Sequence, residues 1–312
     1  MKRVIVTGST GFIGSNLTRR LLIDGHQIHL LVRPGYSPWR IRAIRKEVHL
    51  HQVDFQDANA LKGIVRRIRP DWIFHLAASG AYSWQTDLAS MVQTNIVGTI
   101  NLVEACLQTG FETFVNTGSS SEYGFKTIAP SEREWLEPNS YYAVTKASAS
   151  LYCRYIAQSR NLRLNTLRIY SAYGPYEEPK RLMPTLIQYG LKGKLPPLVN
   201  PDTARDYIYV EDVINAYLLV ASGKELEAGA IYNVGSGVQT TLREVVQVAQ
   251  KVFNISKEPS WGKMQQRIWD TNTWMANSQK LQNELDWHAG YTFEQGFRKT
   301  VEWFVANPQF LT

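Results

Sequence analysis

The chain predicts an α/β protein of Rossmann type: a doubly wound parallel sheet with helices on both faces, and a smaller mixed C-terminal lobe that binds substrate. Three observations carry this. Short apolar runs alternate with helical patterns through the first two-thirds of the 312 residues. A glycine-rich turn holding Gly8, Gly11 and Gly14 follows the first run directly. After Tyr170 the alternation gives way to a stretch punctuated by Gly174, Pro175, Pro179, Pro184, Pro196, Pro197 and Pro201.

In order, residues 3–7, 27–32, 48–53, 72–76, 113–117 and 164–169 are apolar runs of the length and composition of buried parallel strands. Between them, 13–24, 58–69, 88–109 and 142–159 read as helices. Residues 206–210 look like a return to the sheet, with a helix over 211–221. This places a dinucleotide-binding domain at 1–170, rejoined by 206–236, and a substrate-binding lobe at 171–205 and 237–312. The lobe is expected to close over the carboxyl edge of the sheet, where ligands of such folds bind.

Bulk properties narrow the function classes. The length suffices for a large core, and 44% hydrophobic against 20% charged residues describes a globular chain. No apolar run approaches the roughly 18 residues that span a bilayer, and no export signal precedes the first strand, so a cytoplasmic location is expected. Cys106 and Cys153 lie in apolar helical patterns and read as buried, reduced thiols. The net charge of +7 is scattered rather than gathered into a basic face, which argues against a nucleic-acid partner and for a weakly basic surface or a phosphorylated ligand. His49 and His51 lack a third ligand, and no metal is expected.

The glycines point to a dinucleotide. A tight turn, close approach of backbone to pyrophosphate and close helix–strand packing each need a residue without Cβ, and the following helix offers free N–H groups to phosphate. The spacing is GxxGxxG rather than GxGxxG. At the end of the second strand Arg33 stands where a ribose-binding carboxylate would indicate NAD. A guanidinium suits a 2′-phosphate, so NADP is expected, with Ser37 and Arg40 near enough to help; as a solvated loop residue Arg33 would carry no such meaning, and NAD stays open. Asp54 could meet the adenine amino group or be a surface turn.

Tyr142 and Lys146 share one face of the helix expected there. An ammonium near a phenol favours phenolate and would lower the Tyr142 pKa towards neutrality. Such a tyrosine exchanges a proton with a carbonyl or alcohol oxygen during hydride transfer, and the Ser119 hydroxyl could hold the same oxygen. The spacing alone is weak, because Tyr176 and Lys180 repeat it, but that copy contains Pro179 and does not suit a regular helix. Tyr82, Trp84 and Gln85 lie on a loop over the cleft, suited to selecting a ligand or to ordinary packing.

Further motifs run in order along nearly the whole chain: Thr7-Gly8-Ser9-Thr10-Gly11-Phe12-Ile13-Gly14, His75-Leu76-Ala77-Ala78, Asn95-Ile96-Val97-Gly98-Thr99, Ser119 to Gly124, Tyr142 to Lys146, Tyr173-Gly174-Pro175, Arg205 to Val213, and Tyr232 to Gly237. In these the chain resembles the extended short-chain dehydrogenase/reductase family, and within it the enzymes that modify nucleotide-diphosphate sugars. The resemblance implies Tyr142 as acid/base, Lys146 as the residue that binds the nicotinamide ribose and tunes Tyr142, and Ser119 as the catalytic serine. It implies a cofactor site of Gly8, Thr10, Gly11, Phe12, Ile13, Gly14, Arg33, Asp54, Phe55, Leu76, Ala77, Ala78 and Asn95 beside Tyr142 and Lys146. Ser120, Ser121 and Ser171 would meet the sugar nucleotide, and Arg205 and Arg267 its diphosphate. The equivalent helix pair, 88–109 and 142–159, forms a four-helix bundle in the family, so a homodimer is expected.

The reaction class turns on a few positions. Family dehydratases carry acidic residues directly after the catalytic serine or threonine; this chain has Ser120 and Ser121, with Glu122 one place too late. Epimerases usually carry an acidic residue after the second strand, where Arg33 stands. The expectation is therefore an NADPH-dependent reductase of the C4 keto group of a nucleotide-linked 4-keto-6-deoxy-hexose. A 4-epimerase with bound NAD(P) is the alternative, followed by a 4,6-dehydratase and a non-catalytic NADP-binding protein.

Overall fold

The computed structural model describes residues 1–264 and 273–311. Its centre is a parallel sheet of β1 (Arg3–Thr7), β2 (Gln27–Val32), β3 (His49–Gln52), β4 (Trp72–His75), β5 (Thr113–Ser119), β6 (Leu164–Ile169) and β9 (Ile231–Val234), in the order β3-β2-β1-β4-β5-β6-β9. The reversal of direction between β1 and β4 opens the crevice at which such sheets bind ligands. Side chains alternate across β1: Val4 and Val6 join one apolar core with Leu17, Leu30 and Phe74, while Ile5 faces the other with Leu61, Ile73 and Phe114.

Helices α1 (Phe12–Ile23) and α2 (Ala58–Ile68) return the chain between strands, and the latter is capped by the Asp57 carboxylate, which accepts from Ala60 N. The helix expected at 88–109 is α3 (Leu88–Met91), a π-helical turn (Val92–Val97) and α4 (Gly98–Leu107) in succession. The wider turn places Asn95 inside the protein, where the next section finds a use for it. Helix α5 (Tyr141–Arg160) starts at Ser140, whose hydroxyl accepts from Ala143 N at 3.2 Å.

Beyond β6 lie β7 (Ser171–Tyr173), α6 (Leu182–Gly190), β8 (Ala204–Tyr209), α7 (Val210–Ser222), β10 (Gln239–Thr241), α8 (Leu242–Phe253), α9 (Gln279–Leu285) and α10 (Phe293–Ala306). The strand expected to return at 206–210 is β8, and it joins not the large sheet but a separate three-stranded one, β10-β8-β7. The segment that does rejoin the large sheet is β9, paired with β6 from Thr166↔Ile231 to Ile169↔Val234. The physical reason is that β8 is only half covered: Arg205 and Tyr207 are partly exposed, a pattern that suits a small sheet at the cleft mouth. Tyr176 and Lys180 lie in a loop, as Pro179 requires; the Tyr176 ring packs on Trp303 and Phe310.

Candidate active site

Glycine geometry makes the first wall of the site. At the end of β1 the chain turns through Gly8 at φ +65°, and a Cβ there would stand 2.4 Å from the carbonyl carbon of Leu76. A Cβ on Gly14 would stand 2.3 Å from the Gly8 carbonyl oxygen. Helix α1 has Gly11 as N-cap with no side-chain hydrogen bond, so its first-turn N–H groups are left for another acceptor. The Ser9 hydroxyl is buried without a hydrogen-bond partner beside them. This cradle fits the pyrophosphate of a dinucleotide.

The strand ends around the cradle are locked by a buried histidine. His75 Nδ1 lies 2.8 Å from Thr7 Oγ1 and its Nε2 lies 2.9 Å from Thr99 Oγ1. Thr99 donates to Asn95 O, and Thr7 Oγ1 accepts from Leu76 N and Ala77 N. These bonds assign the neutral Nε2–H tautomer, and burial pushes the His75 pKa down to about 3. The imidazole therefore serves as a rigid tie between β1, β4 and α4.

The second wall is β5 with the start of α5. Tyr142, in the first turn of α5, is half-buried, and Ser119, at the end of β5, is the neighbour that acts to lower its pKa; the Ser119 hydroxyl itself donates to Ser121 Oγ at 3.0 Å. Lys146 follows one turn later and is buried. The expectation that Lys146 brings the Tyr142 pKa towards neutrality is not met in the protein alone. Burial dominates and pushes Tyr142 up to about 12, Ser119 opposes this, and Lys146 is not among the causes. The pKa of Lys146 is itself lowered, by burial first.

Both walls face one cavity of about 610 Å³. Of the expected cofactor residues, Gly8, Gly11, Phe12, Ile13, Gly14, Leu76 and Ala78 line it, together with Ser119, Tyr142 and Lys146. Of the expected substrate residues, Ser120, Ser121, Ser171 and Arg205 line it, and Arg267 lies outside the described residues. Thr10, Arg33, Asp54, Phe55, Ala77 and Asn95 are not part of its lining. Asn95 instead accepts from Ser79 N and donates to Ser79 O and Thr145 Oγ1, each within 2.9 Å, while Thr145 donates to Tyr142 O. It thus ties the loop after β4 to the helix that carries the tyrosine and lysine.

Arg33 and Asp54 are exposed. Phe55 stacks on His75 with centroids 6.1 Å apart. Arg40 is buried and committed elsewhere: it donates to Tyr176 O at 2.8 Å and Thr10 O at 3.3 Å and pairs with Glu178 at 3.0 Å.

Glu122 is a structural residue. Its carboxylate is fully buried against the Arg168 guanidinium at 2.9 Å, and it accepts from Ser119 N at 2.8 Å and Ser150 Oγ at 2.9 Å. Arg168 also donates to Tyr123 OH at 2.8 Å, and Tyr123 donates to Asn233. The ion pair fixes the end of β5 against β6 and α5. From the motif Arg205 to Val213, Arg205 reaches the cavity while Asp206 anchors its rim, accepting from Ser236 N, Gly237 N and Ala276 N. Sequence reasoning missed Glu177, Arg181, Asn139 and Trp274, all in the lining. They come from loops and a helix start that carry no periodic signal. Gln85 lines the cavity and accepts from Gly80 N and Tyr82 N, and Trp84 stacks on Tyr82 at 4.8 Å.

Among the described residues no helix is long and apolar enough to cross a membrane, and no cluster of three or more His, Cys, Asp or Glu is placed to hold a metal.

Comparison with known proteins bears on this site. The sequence profile of the NAD dependent epimerase/dehydratase family matches residues 4–235. The chain is 29% identical over 318 residues to the UDP-glucose 4-epimerase of Mycolicibacterium smegmatis, covering 98% of this chain and 100% of that one. It is 27% identical over 328 residues to a trifunctional UDP-glucose 4,6-dehydratase/UDP-4-keto-6-deoxy-D-glucose 3,5-epimerase/UDP-4-keto-L-rhamnose-reductase of Arabidopsis thaliana. That match covers 99% of this chain, which spans 48% of the longer protein. The solved UDP-glucose 4-epimerase of Thermus thermophilus, in complex with NAD, superposes with a TM-score of 0.85 at 29% identity, over 97% of this chain and 98% of that one.

Two expectations are overturned by these relatives. NADP was expected from Arg33, but the Thermus epimerase and further solved relatives are complexes with NAD. A keto-sugar reductase was expected from Arg33 and from the segment Ser119 to Gly124, but relatives matched over nearly all of their own length are epimerases and dehydratases. In the structure Arg33 is an exposed loop residue, and the buried Arg40, expected to help it, is spent on Tyr176, Thr10 and Glu178.

Proposed function

This chain belongs to the NAD dependent epimerase/dehydratase family, and from that premise we propose that it is a nucleoside-diphosphate-sugar 4-epimerase holding NAD. The observation that carries the reading is the single cavity joining the glycine cradle to Ser119, Tyr142 and Lys146, in which Ser120 and Ser121 occupy the places after the catalytic serine. Those places offer hydroxyls and no acid or base for dehydration, because the Glu122 carboxylate is turned into the protein against Arg168.

A bound NAD would supply a reversible hydride acceptor, so that C4 of the sugar could be oxidised and then reduced on its opposite face. Gly8, Gly11 and Gly14 would receive the NAD pyrophosphate, and Phe12, Ile13, Leu76 and Ala78, which line the same cavity, would flank it. Tyr142 removes the proton of the C4 hydroxyl as the hydride leaves and restores it as the hydride returns. Ser119, on the same cavity as Tyr142, holds the same oxygen and stabilises its charge. The positive charge of an oxidised nicotinamide would favour the phenolate that burial opposes. Arg205 and Arg267 carry the right charge for the diphosphate, and Ser120, Ser121 and Ser171 suit sugar hydroxyls.

The test uses the purified protein with no added cofactor, supplied with UDP-glucose and dTDP-glucose. The expected result is interconversion with the C4 epimer, with no net oxidation or reduction of nicotinamide. Release of a 4-keto-6-deoxy product, or turnover only with added NADPH, would overturn the reading.

A homodimer belongs to the same proposal. On α5 the exposed Val144, Leu151 and Tyr155 lie on one stripe, with exposed Leu88 on α3. Leu151→Glu is expected to shift the sedimentation coefficient from dimer to monomer; a monomeric parent would refute the stripe as an interface. A reducing, cytoplasmic location is supported by two buried thiols, Cys106 and Cys153, that form no disulfide.

A further inference from the structure

Glu177 is the one carboxyl group in the cavity lining among the described residues. It is 4% exposed, and its Oε2 has no hydrogen-bond partner. Its Oε1 lies 3.6 Å from Arg181 Nε, and its backbone N–H donates to Gly174 O at 3.2 Å. A buried carboxyl oxygen left without a partner costs free energy unless a ligand supplies one.

The backbone around it is held in an uncommon conformation. Tyr176, a bulky residue, has φ +66°, a region that costs on the order of 1–3 kcal/mol for such a side chain. Several independent contacts enforce it. Arg19 sits 3.9 Å over the Tyr176 ring, Trp303 packs on it at 4.5 Å, Arg40 donates to its carbonyl at 2.8 Å, and Asn16 donates to Pro175 O at 2.9 Å. The strain is tolerated at the residue just before Glu177, which lines the cavity alongside Tyr82 and Arg181 and together with Tyr142.

We propose that Glu177 is a specificity-determining residue whose Oε2 hydrogen-bonds a hydroxyl of the sugar, and whose charge turns away hexuronic acids in favour of neutral hexoses. The inference rests on the sugar-nucleotide reading of the cavity given above. Arg181 does not reverse the preference, because its guanidinium already faces Glu177. The charged and titratable groups around Glu177 are Arg181 at the start of α6, Arg40 from the loop after β2, Tyr82 from the loop after β4, Tyr173 from β7, and the neighbouring Glu178. Burial raises the Glu177 pKa to about 7. The ionised fraction therefore grows above neutrality, and the exclusion of a carboxylate sharpens with it; a protonated Glu177 below neutrality still bonds a hydroxyl.

The test is calorimetric binding of UDP-glucose and UDP-glucuronic acid to the intact protein at pH 6 and pH 8, for wild type, Glu177→Gln and Glu177→Leu, with bound NAD assayed in each. Wild type is expected to favour UDP-glucose, more so at pH 8. Glu177→Gln is expected to lose the pH dependence and to narrow the preference about tenfold. Glu177→Leu is expected to weaken UDP-glucose about tenfold or more with its NAD content intact. Tighter binding of UDP-glucuronic acid by wild type, an unchanged preference in Glu177→Gln, or loss of NAD rather than sugar in Glu177→Leu would each overturn the proposal. So would absence of binding by either sugar nucleotide. Binding does not require turnover, so a wild type that discriminates the two sugars but fails to interconvert epimers refutes the epimerase and leaves Glu177 supported.

Discussion

Tyr142→Phe lowers kcat by about 10²–10⁴-fold, the usual contribution of a positioned acid/base, while bound NAD and KM change little. The expected separation follows from geometry. The phenol lies in the cavity with Ser119, whereas the pyrophosphate cradle is made of glycine backbone. The pH dependence has a definite sign. The group must be ionised to take the first proton, and burial holds it at about 12 in the protein alone. Below that value the ionised fraction rises tenfold per pH unit, and a bound nicotinamide cation moves the midpoint downwards. Wild-type kcat/KM is thus expected to climb with pH through neutrality, and the climb to vanish in Tyr142→Phe. A variant with wild-type turnover removes Tyr142 from the chemistry; a variant that loses NAD makes it a binding residue instead.

Glu122→Gln costs about 3–5 kcal/mol of stability, because it leaves the Arg168 guanidinium buried without its counter-charge. The pair is out of solvent on both sides, with side-chain exposures of 0% and 2%, so solvent does not screen it. The loss is read from the midpoint of chemical denaturation at unchanged slope. Replacing both partners, Glu122→Gln with Arg168→Met, recovers much of the loss, since no lone charge is then buried. A single variant within about 1 kcal/mol of wild type would show that the pair contributes little and that β5 is held by its ladder alone. The same variant speaks to catalysis: if Glu122 were a base for dehydration, its loss would abolish turnover without affecting stability.

Much of the site could be read before folding, for identifiable reasons. Gly8, Gly11 and Gly14 are legible because the absence of a Cβ is itself the signal, and the space each Cβ would fill is backbone. Tyr142 and Lys146 are legible because one helical turn brings them to the same face. Arg33 misled because the chemistry of a side chain was read without its surroundings. Its neighbour Arg40, equally basic, turns inward to bind Tyr176, Thr10 and Glu178, and neither arginine presents a buried anion site. Glu177 and Arg181 could not be found at all, since loops between a strand and a helix have no period to mark which residue points inward.

Local pattern was therefore enough for the layered α/β fold, the nucleotide cradle and the tyrosine–lysine helix, because each follows from spacing along a few residues. Pairing partners needed the folded chain. Whether a strand near 206 joins the large sheet or a small one depends on which edge is left open, and β9, not β8, fills the place beside β6. Which charges reach the cavity depends on contacts across the whole molecule: Glu122 turns to Arg168 and away from the cavity, while Glu177, beside a strained turn, lines it. Desolvation and pairing act at distances of a few ångströms in space, and residues that meet there are far apart along the chain.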